Sequence, residues 1–124
     1  EPRSDGFNGL PRGVADTAAR LNNRELKYRL IVHAEMNAVL NAARVGTPLK
    51  GCTLYLAATN SEGAVWGGCP CSRCTVEIIQ TGIIGVVSYE IKNIPDRWAG
   101  DVKLAREILT EAGLSYREIS HHRA

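Results

Sequence analysis

Two short segments of this sequence contain residue types that can bind a metal ion. One is the HAE segment, which begins at His33, and the other is the PCSRC segment, residues 70–74. Cys71 and Cys74 are three residues apart, so on the first turn of a helix their sulfurs project to the same side. Two soft thiolates and one imidazole are a donor set that suits Zn²⁺. The pattern therefore favours a zinc site formed by His33, Cys71 and Cys74.

Three protein ligands leave the fourth tetrahedral position open for water, which is typical of a catalytic zinc site rather than a structural one. Zinc lowers the pKa of such a water towards neutrality. Glu35 lies two residues from His33, about 200° around an ideal helix, where the two side chains do not face each other. Both can approach one metal only if His33 lies in or before the first turn. Glu35 then fits a carboxylate that contacts the water and transfers protons.

Either segment alone has a plainer interpretation. A single PCxxC segment is more often a structural zinc site or a redox site, and a single HAE tripeptide usually has no role. Here each segment begins a predicted helix, and together they match the H-x-E…P-C-x-x-C signature of zinc-dependent nucleobase deaminases. We expect Cys69 to point away from the metal, and Cys52 to be a buried apolar residue.

The length of 124 residues predicts one domain over residues 1–124. With 44% apolar and 23% charged residues, the chain is not wholly disordered. A formal net charge of +2 is too small to indicate binding to duplex DNA or to a membrane surface. No apolar run approaches the roughly 20 residues of a membrane span. Clustered cysteines without an export signal favour a reducing compartment, so we predict a cytoplasmic protein.

Hydropathy and capping patterns predict the helices that position these residues. Residues 14–30 have a helical tendency that Asn22 and Asn23 interrupt. Residues 34–44 form a helix that ends at Gly46, with an apolar stripe formed by Met36, Val39, Leu40 and Ala43. Residues 71–81 are predicted to form a second helix, which ends at Gly82.

A third helix is predicted to begin with Asp101 as its N-cap and to end at Gly113. Its inward residues are expected to be Val102, Ala105, Leu109 and Ala112. Strands are predicted at residues 53–58, 83–89 and 115–119, and a loop at residues 59–68. Helices and strands therefore alternate from His33 onward, which indicates an α/β domain with helices covering a sheet.

Several segments resemble the deoxycytidylate (dCMP) deaminase family. The matching residues are 6–13 (GFNGLPRG), 33–40 (HAEMNAVL), 52–56 (CTLYL), 70–74 (PCSRC) and 78–87. The resemblance extends from Asp5 to Ile119. It implies a three-layer α-β-α cytidine-deaminase-like fold, with a central mixed sheet and helices on both faces. It also implies a zinc-dependent hydrolase acting on a cyclic amidine, which converts dCMP to dUMP and ammonia.

The resemblance also implies roles for individual residues. His33, Cys71 and Cys74 would bind one Zn²⁺ per subunit, and Glu35 would shuttle protons. The backbone N–H of Ala34 would help to hold the base, and Asn8 would lie near the deoxyribose. A homo-oligomer is implied as well, as a hexamer or a smaller even assembly.

The substrate phosphate needs a cationic pocket, and arginine matches phosphate oxygens best. Arg12 is the first candidate, because it lies in the same loop as Asn8. Weaker candidates are Arg24, Lys27 and Arg29, which would otherwise form a solvated helix face.

The chain departs from the family pattern in two places. The usual N-terminal helix and first strands are missing before the GFNGLPRG segment, and we expect that this sequence omits them. Residues 59–68 are longer and richer in glycine than in the family, which leaves substrate choice open.

Three other functions remain open. The first is a tRNA adenosine deaminase, which shares both motifs but would need a basic surface to bind RNA. Unless this alternative holds, we expect no nucleic-acid partner. Another nucleoside, guanine or pterin-type deaminase is the second. The third is a structural zinc-binding module without activity, although such a module would not need Glu35.

Overall fold

The computed structural model describes residues 1–59, 65–90 and 94–120. Two compact units are present, Glu1–Thr47 and Pro48–Ala124. The predicted frayed end at residues 121–124 lies outside the described residues. Among the described residues, no helix combines the length and the apolar character needed to cross a lipid bilayer.

The first unit contains three helices, α1 (Ala18–Asn22), α2 (Arg24–Leu30) and α3 (Ala34–Val45). The interruption predicted at the two asparagines is confirmed. Asn23 ends α1, and its side chain accepts a hydrogen bond from Leu26 N at 3.1 Å, so the same residue caps the start of α2. Gly46 ends α3 as predicted, in a left-handed conformation with φ of 76° that glycine adopts without strain.

The buried face of α3 differs from the predicted apolar stripe. Glu35 and Ala42 are its buried residues, while Leu40 is 50% exposed and Ala43 is also exposed. The prediction for Leu40 and Ala43 was therefore wrong. Hydropathy places a carboxylate on the solvent side of a helix, whereas here the face that includes Glu35 is turned inward.

The second unit contains a three-stranded sheet in the order β1 (Thr53–Leu56), β4 (Gly85–Tyr89), β5 (Ser115–Ile119). Both pairings are parallel, with Thr53 opposite Gly85 and Gly85 opposite Ser115. Parallel neighbours need long crossover connections. Helices α4 (Ser72–Gln80) and α5 (Asp96–Glu111) lie in the two connections.

The stretch predicted as a loop after β1 contains a short antiparallel hairpin. It consists of β2 (Ala58–Thr59) and β3 (Val65–Gly67). Residues 60–64 of this stretch lie outside the described residues. The predicted loop is thus wrong for these two short strands, because two strands of two and three residues carry too little periodicity to be recognised.

The core of this unit lies between α4, α5 and the central strand β4. Ile78 of α4 is fully buried, as are Val86 of β4 and Leu109 of α5. Four consecutive residues of β4, from Gly85, are buried, as expected for a central parallel strand covered on both faces.

Helix α5 begins six residues earlier than predicted. Pro95 is its N-cap and Asp96 its first residue, so Asp101 lies inside the helix rather than at its start. Val102, Ala105 and Leu109 are buried as predicted, but Ala112 is exposed because the helix has ended at Glu111.

Candidate active site

The N-terminus of α4 presents two cysteines. Cys71 is the N-cap residue, and its Sγ accepts a hydrogen bond from Cys74 N at 3.4 Å. Cys71 is half-buried, whereas Cys74 is buried with 3% of its surface exposed. Pro70 precedes them and is fully buried. A helix N-terminus favours negative charge, so this turn stabilises the thiolate forms that bind metal.

The N-terminus of α3 presents the histidine and the carboxylate. His33 is the N-cap residue in an extended conformation, with φ of −69° and ψ of 154°. It therefore lies just before the first turn, which is the condition that the sequence set for His33 and Glu35 to serve one site. Glu35 follows in the first turn and is only 8% exposed.

The ligand atoms of His33, Cys71 and Cys74 all lie within 4.8 Å of one another. Zinc binds sulfur at about 2.3 Å and imidazole nitrogen at about 2.0–2.1 Å. In a tetrahedral site these bond lengths separate neighbouring ligand atoms by roughly 3.3–3.8 Å. The donor set, one borderline nitrogen and two thiolates, fits Zn²⁺.

Hydrogen bonds connect the predicted substrate-binding residues to α3 and to the turn before it. Asn8 Oδ1 accepts a hydrogen bond from Ala34 N at 2.7 Å. Next to it, Gly9 and Val32 pair through two backbone hydrogen bonds. Arg12 is exposed, and its Nη2 donates to Asn41 Oδ1 at 2.5 Å. Asn8 and Ala34 are thus adjacent, and Arg12 contacts the same helix further along; their roles towards a substrate stay predictions.

A polar cluster at β4, β5 and α5 was not predicted from the sequence. The Tyr116 hydroxyl lies 3.0 Å from Ser88 Oγ and donates to Glu118 Oε2 at 2.9 Å. Arg106 Nη2 donates to the same carboxylate oxygen at 2.7 Å. Burial raises the pKa of Tyr116 above its ordinary value of 10.0. Tyr116 and Glu118 are two residues apart on one strand and so share a face, which is the signal that could have revealed the cluster.

The remaining two cysteines, Cys52 and Cys69, are half-buried, and no disulfide joins any of the four cysteines. Cys69 Sγ lies 3.6 Å from the carbonyl oxygen of Pro70. Burial raises the pKa of the Cys69 thiol. Cys52 is less buried than expected, because it lies just before β1 rather than inside the strand.

The sequence of residues 5–90 matches the family described as the cytidine and deoxycytidylate deaminase zinc-binding region. The chain belongs to this family. Family membership and the His/Cys/Cys donor set confirm the predicted cofactor, Zn²⁺. Membership also confirms the predicted class, a hydrolytic deaminase domain.

Individual relatives agree with this assignment. A protein of Aliivibrio fischeri named "uncharacterized deaminase in luxG 3′ region" is 36% identical over 112 residues, which are 90% of this chain and 67% of that protein. Human deoxycytidylate deaminase is 30% identical over 118 residues, covering 91% of this chain and 58% of the human protein. The chain thus spans about three fifths of the human enzyme's length.

The fold has solved counterparts as well. The crystal structure of apo dCMP deaminase from the cyanophage S-TIM5 superimposes with a TM-score of 0.58 at 20% identity, covering 94% of this chain and 70% of that one. This similarity confirms the predicted α/β cytidine-deaminase-like fold. The same phage enzyme has also been crystallised with dCMP and dUMP.

Proposed function

We propose that this protein hydrolyses dCMP to dUMP and ammonia. Its Zn²⁺ would be held by His33, Cys71 and Cys74, and its proton carrier would be Glu35. The observation on which this rests is the placement of a buried carboxylate in the first turn of α3, two residues after a histidine whose ligand atom lies within 4.8 Å of two cysteine sulfurs.

The reaction replaces an amino group by oxygen and needs several proton transfers. When bound, Zn²⁺ lowers the pKa of water, so that a nucleophile is available near neutral pH. Glu35 accepts a proton from the water and delivers it to the ring nitrogen of cytosine. Once the water oxygen is bonded to C4, the same carboxylate returns protons to the departing amino group. The balance is dCMP plus water giving dUMP plus ammonia.

Substrate binding is assigned to the loop before α1 and to the start of α3. Asn8 would contact the deoxyribose, the Ala34 backbone would contact the base, and Arg12 would bind the phosphate. The Ala34 N–H donates to Asn8 Oδ1, so the proposed base contact through this N–H requires Asn8 to release it, and the hydrogen bond itself supports only that the two residues are adjacent. The dCMP substrate is supported by the names of the human and phage relatives.

The setting proposed for the reaction follows the same reasoning. We propose a cytoplasmic enzyme, since none of its four cysteines forms a disulfide and two of them serve as zinc ligands in this assignment. We also propose a homo-oligomer, a hexamer or a smaller even assembly. Light scattering at micromolar concentration should give a mass of several chains, and a mass of one chain would contradict this.

The central experiment measures ammonia release from dCMP, dCTP, deoxycytidine and an adenosine-containing tRNA anticodon stem-loop, together with zinc content. We expect about one zinc per chain and the highest kcat/KM for dCMP. Preference for the RNA would overturn the proposal in favour of a tRNA deaminase. Preference for deoxycytidine would overturn the nucleotide assignment, and zinc without activity on any substrate would indicate a structural module.

Two variant series test the assigned residues. Glu35→Gln should retain zinc but lose about 10²–10⁴-fold in kcat, the usual contribution of general acid–base catalysis. Glu25→Gln is the matched control, because Glu25 is an exposed acid in the first turn of α2. Near wild-type turnover in Glu35→Gln would refute the mechanism.

The second series changes the cysteines one at a time. Cys71→Ala and Cys74→Ala should lose zinc, while Cys52→Ala and Cys69→Ala should retain it. Full zinc content in either of the first two variants would show that the ligand assignment is wrong.

A further inference from the structure

One carboxylate of α5 binds the first residue of α4 with both of its oxygens. Asp101 Oδ2 accepts a hydrogen bond from Ser72 N at 3.0 Å, and Oδ1 accepts one from Ser72 Oγ at 2.5 Å. Asp101 is half-buried in the second turn of its own helix. Its capping interaction therefore serves α4 rather than α5.

The peptide group between Cys71 and Ser72 is held from both sides. Its carbonyl oxygen, which belongs to Cys71, accepts hydrogen bonds from Thr75 N at 2.9 Å and from Thr75 Oγ1 at 2.8 Å. Its N–H, which belongs to Ser72, is the group that donates to Asp101. Holding this peptide plane gives a fixed reference for ψ of Cys71, observed at 160°, and so restricts the direction in which the Cys71 side chain leaves the backbone.

Cys71 needs such polar anchoring more than Cys74 does. Cys74 lies within α4 and is 3% exposed, so packing holds it. Cys71 precedes the helix and is half-buried. The first N–H groups of a helix have no partner inside the helix. A carboxylate is a stronger acceptor for them than a neutral group, because its hydrogen bonds are charge-assisted.

We propose that Asp101 is a positioning residue for the zinc site. It holds the Cys71–Ser72 peptide plane so that the Cys71 sulfur is already oriented to bind zinc together with Cys74. This inference rests on the proposed function, because it takes Cys71 as a zinc ligand. It differs from an ordinary contact between two helices, which would stabilise the fold without changing how the metal is held.

The test measures the rate at which zinc-loaded protein transfers its metal to a chromogenic chelator. Asp101→Ala removes both hydrogen bonds and should release zinc about 10–100-fold faster, if the loss of metal affinity typical of removing groups that orient metal ligands falls on the release rate. Asp101→Asn keeps an acceptor for Ser72 N and should release zinc at an intermediate rate. Ser72→Ala removes only the hydroxyl contact and should increase the rate severalfold.

Two further measurements make the result specific. Glu107→Gln is the matched control, since it neutralises an exposed carboxylate on the same helix and should leave the release rate unchanged. In protein loaded with Co²⁺, the sulfur-to-cobalt charge-transfer band should change in Asp101→Ala and not in Glu107→Gln. The melting temperature of each variant is recorded without metal, to separate stability from metal retention.

The outcomes separate this inference from the proposed function. If Asp101→Ala releases zinc at the wild-type rate but melts at a lower temperature, the positioning role is overturned. Asp101 would then only stabilise the contact between α4 and α5. Equal rates in Asp101→Asn and Asp101→Ala would also overturn the positioning role, because charge alone would then matter. If Asp101→Ala does not fold, wild-type release rates in both Asp101→Asn and Ser72→Ala overturn it. Zinc retention by Cys71→Ala would instead refute the proposed ligand set.

Discussion

Gly6 lies where the N-terminal loop crosses α3, and replacing it with alanine tests how closely the two segments must approach. A Cβ at position 6 would overlap the Ala38 nitrogen and lie 2.5 Å from the Ala34 oxygen and 2.8 Å from Asn37 C. These are backbone atoms of one helix, so no side chain can move aside. The loop itself must shift by about 1 Å to restore a carbon–oxygen contact near 3.5 Å.

That shift would break the two hydrogen bonds that flank Gly6. Asn37 Nδ2 donates to the Phe7 oxygen at 2.6 Å, and Asn41 Nδ2 donates to the Asp5 oxygen at 3.0 Å. Adding 1 Å takes both beyond hydrogen-bonding range. At about 0.5–1.5 kcal/mol each, the loss lowers the free energy of unfolding by roughly 1–3 kcal/mol. Overpacking costs are of the same size.

The assay is thermal and urea unfolding of zinc-free protein, followed by circular dichroism. For a chain of this size, a loss of about 2 kcal/mol lowers the melting temperature by roughly 5–10 °C. Gly9→Ala is the control, because a Cβ at Gly9 meets nothing within 4 Å, and it should stay within about 0.5 kcal/mol of wild type. Equal stability of Gly6→Ala and wild type, or equal losses at both glycines, would refute the reasoning.

Two further changes test a charge and a buried hydroxyl. Arg12→Ala should raise KM for dCMP about 10- to 150-fold through loss of one charge-assisted phosphate contact, and should leave KM for deoxycytidine unchanged. The control Arg44→Ala removes an exposed arginine in the last turn of α3 and should leave KM for both substrates unchanged. Equal losses on both substrates would show that Arg12 shapes the loop instead. Tyr116→Phe should lower stability by about 1–3 kcal/mol at pH 7. Burial raises the pKa of Tyr116 above its ordinary value of 10.0. Its hydroxyl should therefore contribute fully to the free energy of unfolding below pH 10, and this contribution should disappear as the pH rises through the pKa of the folded state. The free energies of urea unfolding of wild type and Tyr116→Phe should accordingly become equal at alkaline pH.

The candidate zinc ligands could be singled out from the sequence because each motif groups metal-binding residue types within a few positions. Each of the two motifs begins a helix, and the structure places His33 and Cys71 at the N-cap positions that the spacing requires. The break at Asn23 was predictable for the same reason, since an asparagine that caps a helix acts within three residues of itself.

The remaining features depend on partners far along the chain. Asp101 was correctly identified as a capping residue, but for the wrong helix, because its partner Ser72 lies 29 residues away. The inward turn of Glu35 was also invisible to hydropathy, which scores side chains by their preference for water rather than by the reaction they serve. The spacing of residue types along the sequence reveals local geometry. Hydrogen bonds between residues far apart in the chain leave no regular spacing by which they could be recognised.

The Ser88–Tyr116–Glu118–Arg106 cluster restricts how this protein can evolve. Removing one member leaves its hydrogen-bonding partner without that contact in a half-buried place, whereas replacing both partners with apolar residues of the same shape can be nearly neutral. Single substitutions therefore pass through a less stable intermediate that selection removes. We expect substitutions at these four positions, which lie on β4, β5 and α5, to occur together among descendants of this sequence.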